Sequence, residues 1–377
     1  FIKKPGKYPV QIMVKDTHGV VFISPRYSVE VFSVYEVPEG LILEKGARYI
    51  LIGDGRGDGK KRIYAAGVDN RLYEIEWENG WKYTVIGTCR DSIHGMDIGD
   101  ARGDGKKRVY VASHDSCVYE FAWTGKGWRG KAIAKGNYPF YRVVIAGNCL
   151  LATDCMTGSG FEGCPRGNLW EIKYAEERWE KKRIALACTL EPWPGEVAIR
   201  EYYFNPHSLI NNGSGKVYLH TCHEGMEGFF PGPFIILTRK DKKWEIKRKN
   251  YSSGTLSHLT IESNRIYTIE VIRTYDRGHY IVGEIKEYRA HGRGISIDSV
   301  CEPRGIKVEN GNIYVACADS IFEYQWNSKN WEHGTLKFKL LNDRLRCFTV
   351  GDVKGKEAIY AGGDRGIYEF NLMEEEK

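Results

Sequence analysis

Residues Asp54 to Trp81 read DGRGDGKKRIYAAGVDNRLYEIEWENGW. From Asp100 the chain repeats this as DARGDGKKRVYVASHDSCVYEFAWTGKGW, a step of 46 residues. Shorter copies return as NIYVACADSIFEYQWNSKNW from Asn312 and GDVKGKEAIYAGGDRGIYEFNL from Gly351. Tyr64, Tyr110, Tyr314 and Tyr360 share one position of the repeat, and Glu74, Glu120, Glu323 and Glu369 share another. Between Gly, Asp and Asn turns, apolar and polar residues alternate as in short half-buried strands. A repeat of this length and pattern predicts an all-β fold, a β-propeller with one four-stranded blade per repeat.

From Tyr110 to Tyr314 is 204 residues, or four steps averaging 51, which leaves room for three divergent blades with insertions. The expected count is therefore seven, with six or eight as the alternatives. The last copy supplies three strands before the acidic tail. Residues 41–44 of GLILEKG are expected to be the missing fourth strand, closing the ring and pairing both open edges. The propeller should then span residues 37–377.

Residues 1–36 do not fit the repeat. They read as two or three alternating strands, with Asp16-Thr17-His18-Gly19 as a hairpin turn. Pro5, Gly6, Tyr8, Val10, Ile12, Val14, Asp16 and Gly19 resemble the C-terminal strands of a PKD-like, immunoglobulin-type module. The resemblance implies a β appendage of the kind that spaces domains in larger secreted chains. The chain begins at Phe1 without a Met, so a processed or truncated product is expected.

Composition narrows the function classes. Apolar residues make up 42% and aromatics 13%, ample for packed sheets. No run of about 18 apolar residues occurs, so no membrane-spanning helix is expected. The net charge is +6, with basic residues expected to be spread through turns and not clustered in a block, which argues against a nucleic-acid partner. Only Gln11 and Gln325 are glutamines while Lys, Arg and Glu abound, a thermophile-like usage. Ten cysteines occur without a C-x-x-C pair, which removes zinc-ribbon, thioredoxin-type and c-type haem readings. Cys155 and Cys164, flanking a Gly-rich stretch, are the best-placed disulfide pair. Cys149, Cys317 and Cys347 read as small buried hydrophobes.

The turn GDGRGDGKKR resembles the calcium loop of FG-GAP and VCBS propeller repeats, in which carboxylates surround Ca²⁺. Asp54 and Asp58 match that loop, but Arg56 and Arg62 replace two of its carboxylates. The copy keeps Asp100 and Asp104 and substitutes Arg102 and Arg108; the last keeps only Asp352. The expectation is a metal-free turn in which arginines pair with the aspartates.

Aligning the blades on their innermost strands puts Arg48, His94, Arg142, His207, His258, Arg304 and Arg346 at the opening residue. Innermost strands surround the central channel, so these seven should ring one mouth and focus positive potential there. The insertions at residues 154–167, 188–206, 222–233 and 273–279 are expected as loops on the same face, carrying Trp193, Tyr202 and Tyr203. Arginine matches carboxylate, sulfate or phosphate, and aromatic rings stack on sugar faces. The histidines also raise a metal: HTCHEG offers His220, Cys222 and His223 for Zn or Cu at the mouth. Neighbouring arginines oppose a cation, so no metal is favoured.

The resulting expectation is a secreted, extracellular or cell-surface (alternatively periplasmic) module that recognises an anionic polysaccharide or glycoconjugate through the Arg/His ring and Trp193. One alternative is a polysaccharide lyase, with His94, His207, His258, Tyr202 or Tyr203 removing the proton beside a uronate carboxylate. The other is a protein-interaction or cell-surface structural module, which the fold equally hosts.

Overall fold

The computed structural model describes residues 40–155, 167–187, 197–199, 203–204, 209–211, 216–225, 228–240, 243–249, 255–262, 265–273, 281–288, 294–340 and 343–372, and before residue 40 only strand backbones. The chain divides into two compact units, residues 1–39 and 40–377. In the first, Gly6–Val10 pairs antiparallel with Tyr27–Val31, and Met13–Lys15 with Val21–Ile23.

The second unit is a seven-bladed β-propeller, and its described residues contain strands and no helix. Blade 1 comprises Ala47–Gly53, Arg62–Gly67, Arg71–Trp77 and Trp81–Thr88, each paired antiparallel with the next. Blade 2 repeats this with Ile93–Gly99, Arg108–Ser113, Cys117–Trp123 and Trp128–Lys135. Blade 3 begins at Phe140–Ile145 and adds a short strand, Val197–Ile199, parallel to Arg178–Ala187. In blade 4 the innermost position is split between Tyr203–Phe204 and Ile210–Asn211, both paired with Lys216–Gly225. Blades 5 and 6 cover residues 255–301 and 305–339 in the regular order. Blade 7 has Leu345–Asp352, Glu357–Gly363 and Ile367–Asn371 from the end of the chain and Leu41–Leu43 from its beginning.

The shared Tyr and Glu of the repeat hold neighbouring blades together. Tyr64 donates its hydroxyl to Glu74 at 2.7 Å, and Trp128 from blade 2 donates its indole N–H to the same carboxylate at 3.3 Å. Tyr64 and Trp128 meet edge to face, with ring centroids 6.1 Å apart. The pattern returns as Trp331 on Glu287 (3.1 Å) between blades 5 and 6, and as Trp244 on Glu171 (3.2 Å) between blades 3 and 4. Each strand thus buries an acid only where two or more donors meet it, as desolvation requires.

The turns resembling calcium loops are pinned by their arginines. Asp54 accepts backbone N–H groups from Gly57, Asp58 and Gly59 at 2.8, 3.1 and 3.0 Å. Arg62 makes a fork on Asp58 at 2.8 and 2.7 Å, which holds that carboxyl far below the usual range. Arg56 binds the buried Glu74 and lies over the Trp123 ring of blade 2, 4.4 Å from its centroid. Arg108 on Asp104, and Arg102 on Glu120 and over Tyr174, repeat both contacts one blade on. Gly57 and Gly59 have φ of 74° and 84°, a left-handed backbone that glycine adopts freely.

Two expected loops contain strand: the 188–206 insertion holds Val197–Ile199 and Tyr203–Phe204, and the 222–233 insertion is strand almost throughout. Residues 222–233 continue the blade 4 hairpin, with Cys222 opposite Pro231, His223 opposite Phe230, Glu224 opposite Phe229 and Gly225 opposite Gly228. The ladder reaches almost to the tip because a hairpin extended in register keeps satisfying its own backbone groups. Cys155 is buried and disulfide-bonded; Cys164 lies outside the described residues. Cys149 and Cys317 are free and buried, and Cys347 is free and half-buried.

Candidate functional site: a cationic channel mouth

The innermost strands enclose a channel of about 760 Å³. Arg48, His94, Arg142, His258, Arg304 and Arg346 all line it, joined by Arg344. His207, Trp193 and Tyr202 lie outside the described residues. Tyr203, His220, Cys222 and His223 lie on blade 4 strands whose side chains at these positions are likewise outside them.

Strand register divides the ring into two tiers. In blades 1, 2 and 7 the pairing slips by one residue at Arg48, His94 and Arg346, which makes each the extra residue of a β-bulge. In blades 3 and 5 the extra residue is Tyr141 and Ser257. Arg142 and His258 therefore correspond to Tyr49, one step deeper, and not to Arg48. This corrects the alignment that put all seven at one level. The cause is the position of the bulge, which inserts one residue and shifts everything before it by one step in register.

The tiers interlock. Arg142, from blade 3, lies over the Tyr49 ring of blade 1 at 4.7 Å and donates to the His94 carbonyl of blade 2 at 3.4 Å. Gly95 makes this approach possible: a Cβ there would stand 2.6 Å from the Tyr141 carbonyl oxygen and 2.8 Å from Arg142 Cα. His94 stacks in parallel on His114, with centroids 3.7 Å apart, and Tyr141 meets both rings edge-on. Ser92 Oγ is 3.0 Å from His94 Nε2. Arg346 pairs with Asp364, and Arg304 stands 3.7 Å from Glu302.

Burial shifts several titratable groups of the channel, and neighbouring cations add to it at His94, His258 and Arg304. Burial pushes His94 down to about 3, helped by His114, Arg48 and Arg142. Burial pushes His258 down to about 4, helped by Arg142 and Arg304 and opposed by a hydrogen bond to the Arg304 backbone. Burial and then Arg344 lower even the Arg304 guanidinium. Both histidines are thus neutral near pH 7, and the mouth's positive charge belongs to its arginines. Further along the channel, burial raises Asp97 to about 6, although the backbone N–H groups of Ile145 and Ile98 donate to it at 2.7 and 2.8 Å.

Among the described residues, seven buried side-chain atoms have no hydrogen-bond partner: Arg48 Nε, Arg304 Nε, His258 Nδ1 and His114 Nε2 at or beside the mouth, and Tyr110 Oη, Trp179 Nε1 and Thr268 Oγ1 within the blades. Buried donors are normally satisfied, and leaving one unpaired costs about 1–3 kcal/mol. The contacts of Tyr49, His114, Tyr141 and Arg344 with the ring escape sequence inspection. The only signals are two arginines either side of Leu345 and a tyrosine beside each of Arg48 and Arg142.

No family model and no curated protein matches this chain. Solved structures do. The WD40 β-propeller domain of Doa1 superposes with a TM-score of 0.55 at 10% identity, covering 88% of this chain and 95% of that one. BBS1N, crystallised in complex with ARL6DN, superposes with a TM-score of 0.54 at 9% identity, covering 89% and 95%. At such identities the likeness shows the fold alone.

Proposed function

We propose that this propeller is a binding module that captures an anionic ligand, a uronate-bearing or similarly acidic glycan, at the cationic channel mouth. The observation that carries the reading is the pair of buried, unpartnered guanidinium donors, Arg48 Nε and Arg304 Nε, within a cluster of arginines. An oxyanion would supply the missing acceptors and relieve the repulsion among the cations. The same repulsion disfavours Zn or Cu there. The disulfide at Cys155 supports passage through an oxidising compartment, and so a secreted module. The resemblances to FG-GAP-type repeats and a PKD-like appendage accord with that setting.

His94 and His258 fit the general base of a lyase poorly. A general base works best with a pKa near the operating pH, and His94 and His258 lie near 3 and 4. Titration calorimetry with galacturonate and its oligomers tests the binding reading. Arg48→Ala and Arg304→Ala should each weaken binding roughly tenfold or more, the worth of about 1.5–3 kcal/mol for a charged hydrogen bond. No heat of binding, or equal affinity in both variants, would sink it. Formation of unsaturated uronate absorbance would restore the lyase reading.

A further inference from the structure

We propose that the outer rim of blades 2 to 4 is a second, separate docking surface, for a flexible acidic polysaccharide running from blade to blade. The fold gathers charge that the sequence scatters. The outermost strands of these three consecutive blades, Trp128–Lys135, Arg178–Ala187 and Lys243–Lys249, each carry a net charge of +3. The outermost strands of the other blades carry less: Leu41–Leu43 has no charge, Trp81–Thr88 one lysine and Ile295–Cys301 a single aspartate, while the two lysines of Thr335–Lys339 are paired, Lys337 with Glu323 at 2.6 Å and Lys339 with Asp319 at 3.2 Å.

The charge is ordered as well as concentrated. Trp128, Trp179 and Trp244 are equivalent, because each opens its outer strand opposite the last residues of the preceding one. Three residues beyond each tryptophan stand Lys131, Lys182 and Lys247, all exposed. Lys131 is 3.9 Å from Glu120 yet 55% exposed, a contact worth little in water. Glu171, opposite Lys182 in register, is bound instead by Arg239 and by Trp244 from blade 4. The result is one lysine repeated at one position on three neighbouring blades.

Geometry selects the occupant. Two blade steps of a seven-fold ring turn through roughly 100°. A stiff nucleic-acid duplex would have to bend by that much over a domain's width, at a cost of several kcal/mol. Single strands bind through aromatic faces that stack on bases. Here the rim tryptophans are already engaged: Trp128 by Tyr64, Trp179 by Tyr110 and Tyr174, and Trp244 by Arg239 and the core of blades 3 and 4. A flexible chain with a carboxylate or sulfate on each sugar needs only the charges, repeated along a curve.

The test uses the intact chain, with polygalacturonate as the polymer and galacturonate monomer as the mouth probe, in a salt series. Replacing all three lysines (Lys131→Gln, Lys182→Gln, Lys247→Gln) should lower polymer affinity at least tenfold. It should also flatten the salt dependence by about two to three counterions, roughly 0.7–0.9 per lost contact. Monomer binding at the mouth should not change. Arg48→Ala should do the reverse, losing the monomer while the polymer's salt slope persists, so that failure of the mouth reading and failure of the rim reading are separable. An unchanged salt slope in the triple variant would overturn the proposal. So would tighter binding to duplex or single-stranded DNA than to polygalacturonate. A charge-reversed set (Lys→Glu at the same positions) guards against a loss that comes from altered folding, since it must weaken the polymer further while leaving the melting temperature in place.

Discussion

Replacing Arg48 and Arg304 together by methionine should make the protein more stable and abolish anion binding. Each arginine holds a buried Nε that no acceptor reaches among the described residues, a penalty of about 1–3 kcal/mol. Each also faces other cations; burial first, and then Arg344 and Arg346, depress Arg304 itself. Repulsion among these like charges adds to that penalty. Methionine keeps most of the apolar stem, so little packing is lost. Allowing for partial relaxation, the double variant should gain about 2–4 kcal/mol. For a domain of this size the unfolding entropy is about 0.7 kcal/mol per degree, so the melting temperature should rise by about 3–6 °C. A ligand at a hundredfold excess over its Kd should stabilise the wild type by about 2.7 kcal/mol, roughly 4 °C, and the variant not at all. Scanning calorimetry at low ionic strength, with and without galacturonate, reads both. A variant that melts below the wild type would show that these guanidinium groups hold the blades together, and the argument for an anion site would fail.

Three further outcomes are expected. Because His94 and His258 titrate near 3 and 4 in the folded chain and near 6.5 unfolded, the unfolded state binds protons first as the pH falls. Stability should therefore be full above about pH 6.5 and decline towards pH 4, a decline that His94→Gln with His258→Gln flattens in urea titrations. Glu74→Gln removes a charge from the acid that joins Arg56, Tyr64 and Trp128, and should cost about 3–5 kcal/mol in denaturant unfolding, as broken buried pairs do. Gly95→Ala drives a methyl group into the Tyr141 carbonyl and the Arg142 backbone, so it should lower stability by about 1–3 kcal/mol and weaken galacturonate binding in the same protein.

The fold was legible wherever a blade keeps the tyrosine, glutamate and tryptophan of the repeat, since those residues make the contact between blades. Blade 3 was harder to read because Leu151 stands opposite Glu171 where Tyr64 stands opposite Glu74. Blade 4 was harder still, with Ile236 at the glutamate position opposite Tyr218. The ring of cations could be found from the sequence, but its depth could not. A β-bulge at Arg48 and one at Tyr141 differ by one residue in register and leave no mark in residue type, so Arg142 and His258 were assigned one level too high. Charge on the rim was hidden for another reason. Lys131, Lys182 and Lys247 are far apart in sequence, and only the ladder between strands shows them to be equivalent.

The arginines of this chain separate into two populations, and the separation bears on whether the mouth is architecture or a site. Arg56, Arg62, Arg102 and Arg108 meet carboxylates at hydrogen-bond distance, and two of them also lie over a neighbouring blade's aromatic ring. That is how this scaffold treats a guanidinium used to join blades: it provides the acid, and often the ring, in the same repeat. At the mouth the supply stops. Arg346 has Asp364, but Arg304 has only the more distant Glu302, and its Nε, like that of Arg48, is buried and unmet. A propeller that can pair its arginines, and does so in successive blades, has no structural need to collect poorly paired ones around its channel. Such an arrangement lowers stability in the free protein and is offset only when an anion arrives, which is the thermodynamic signature expected of a binding site.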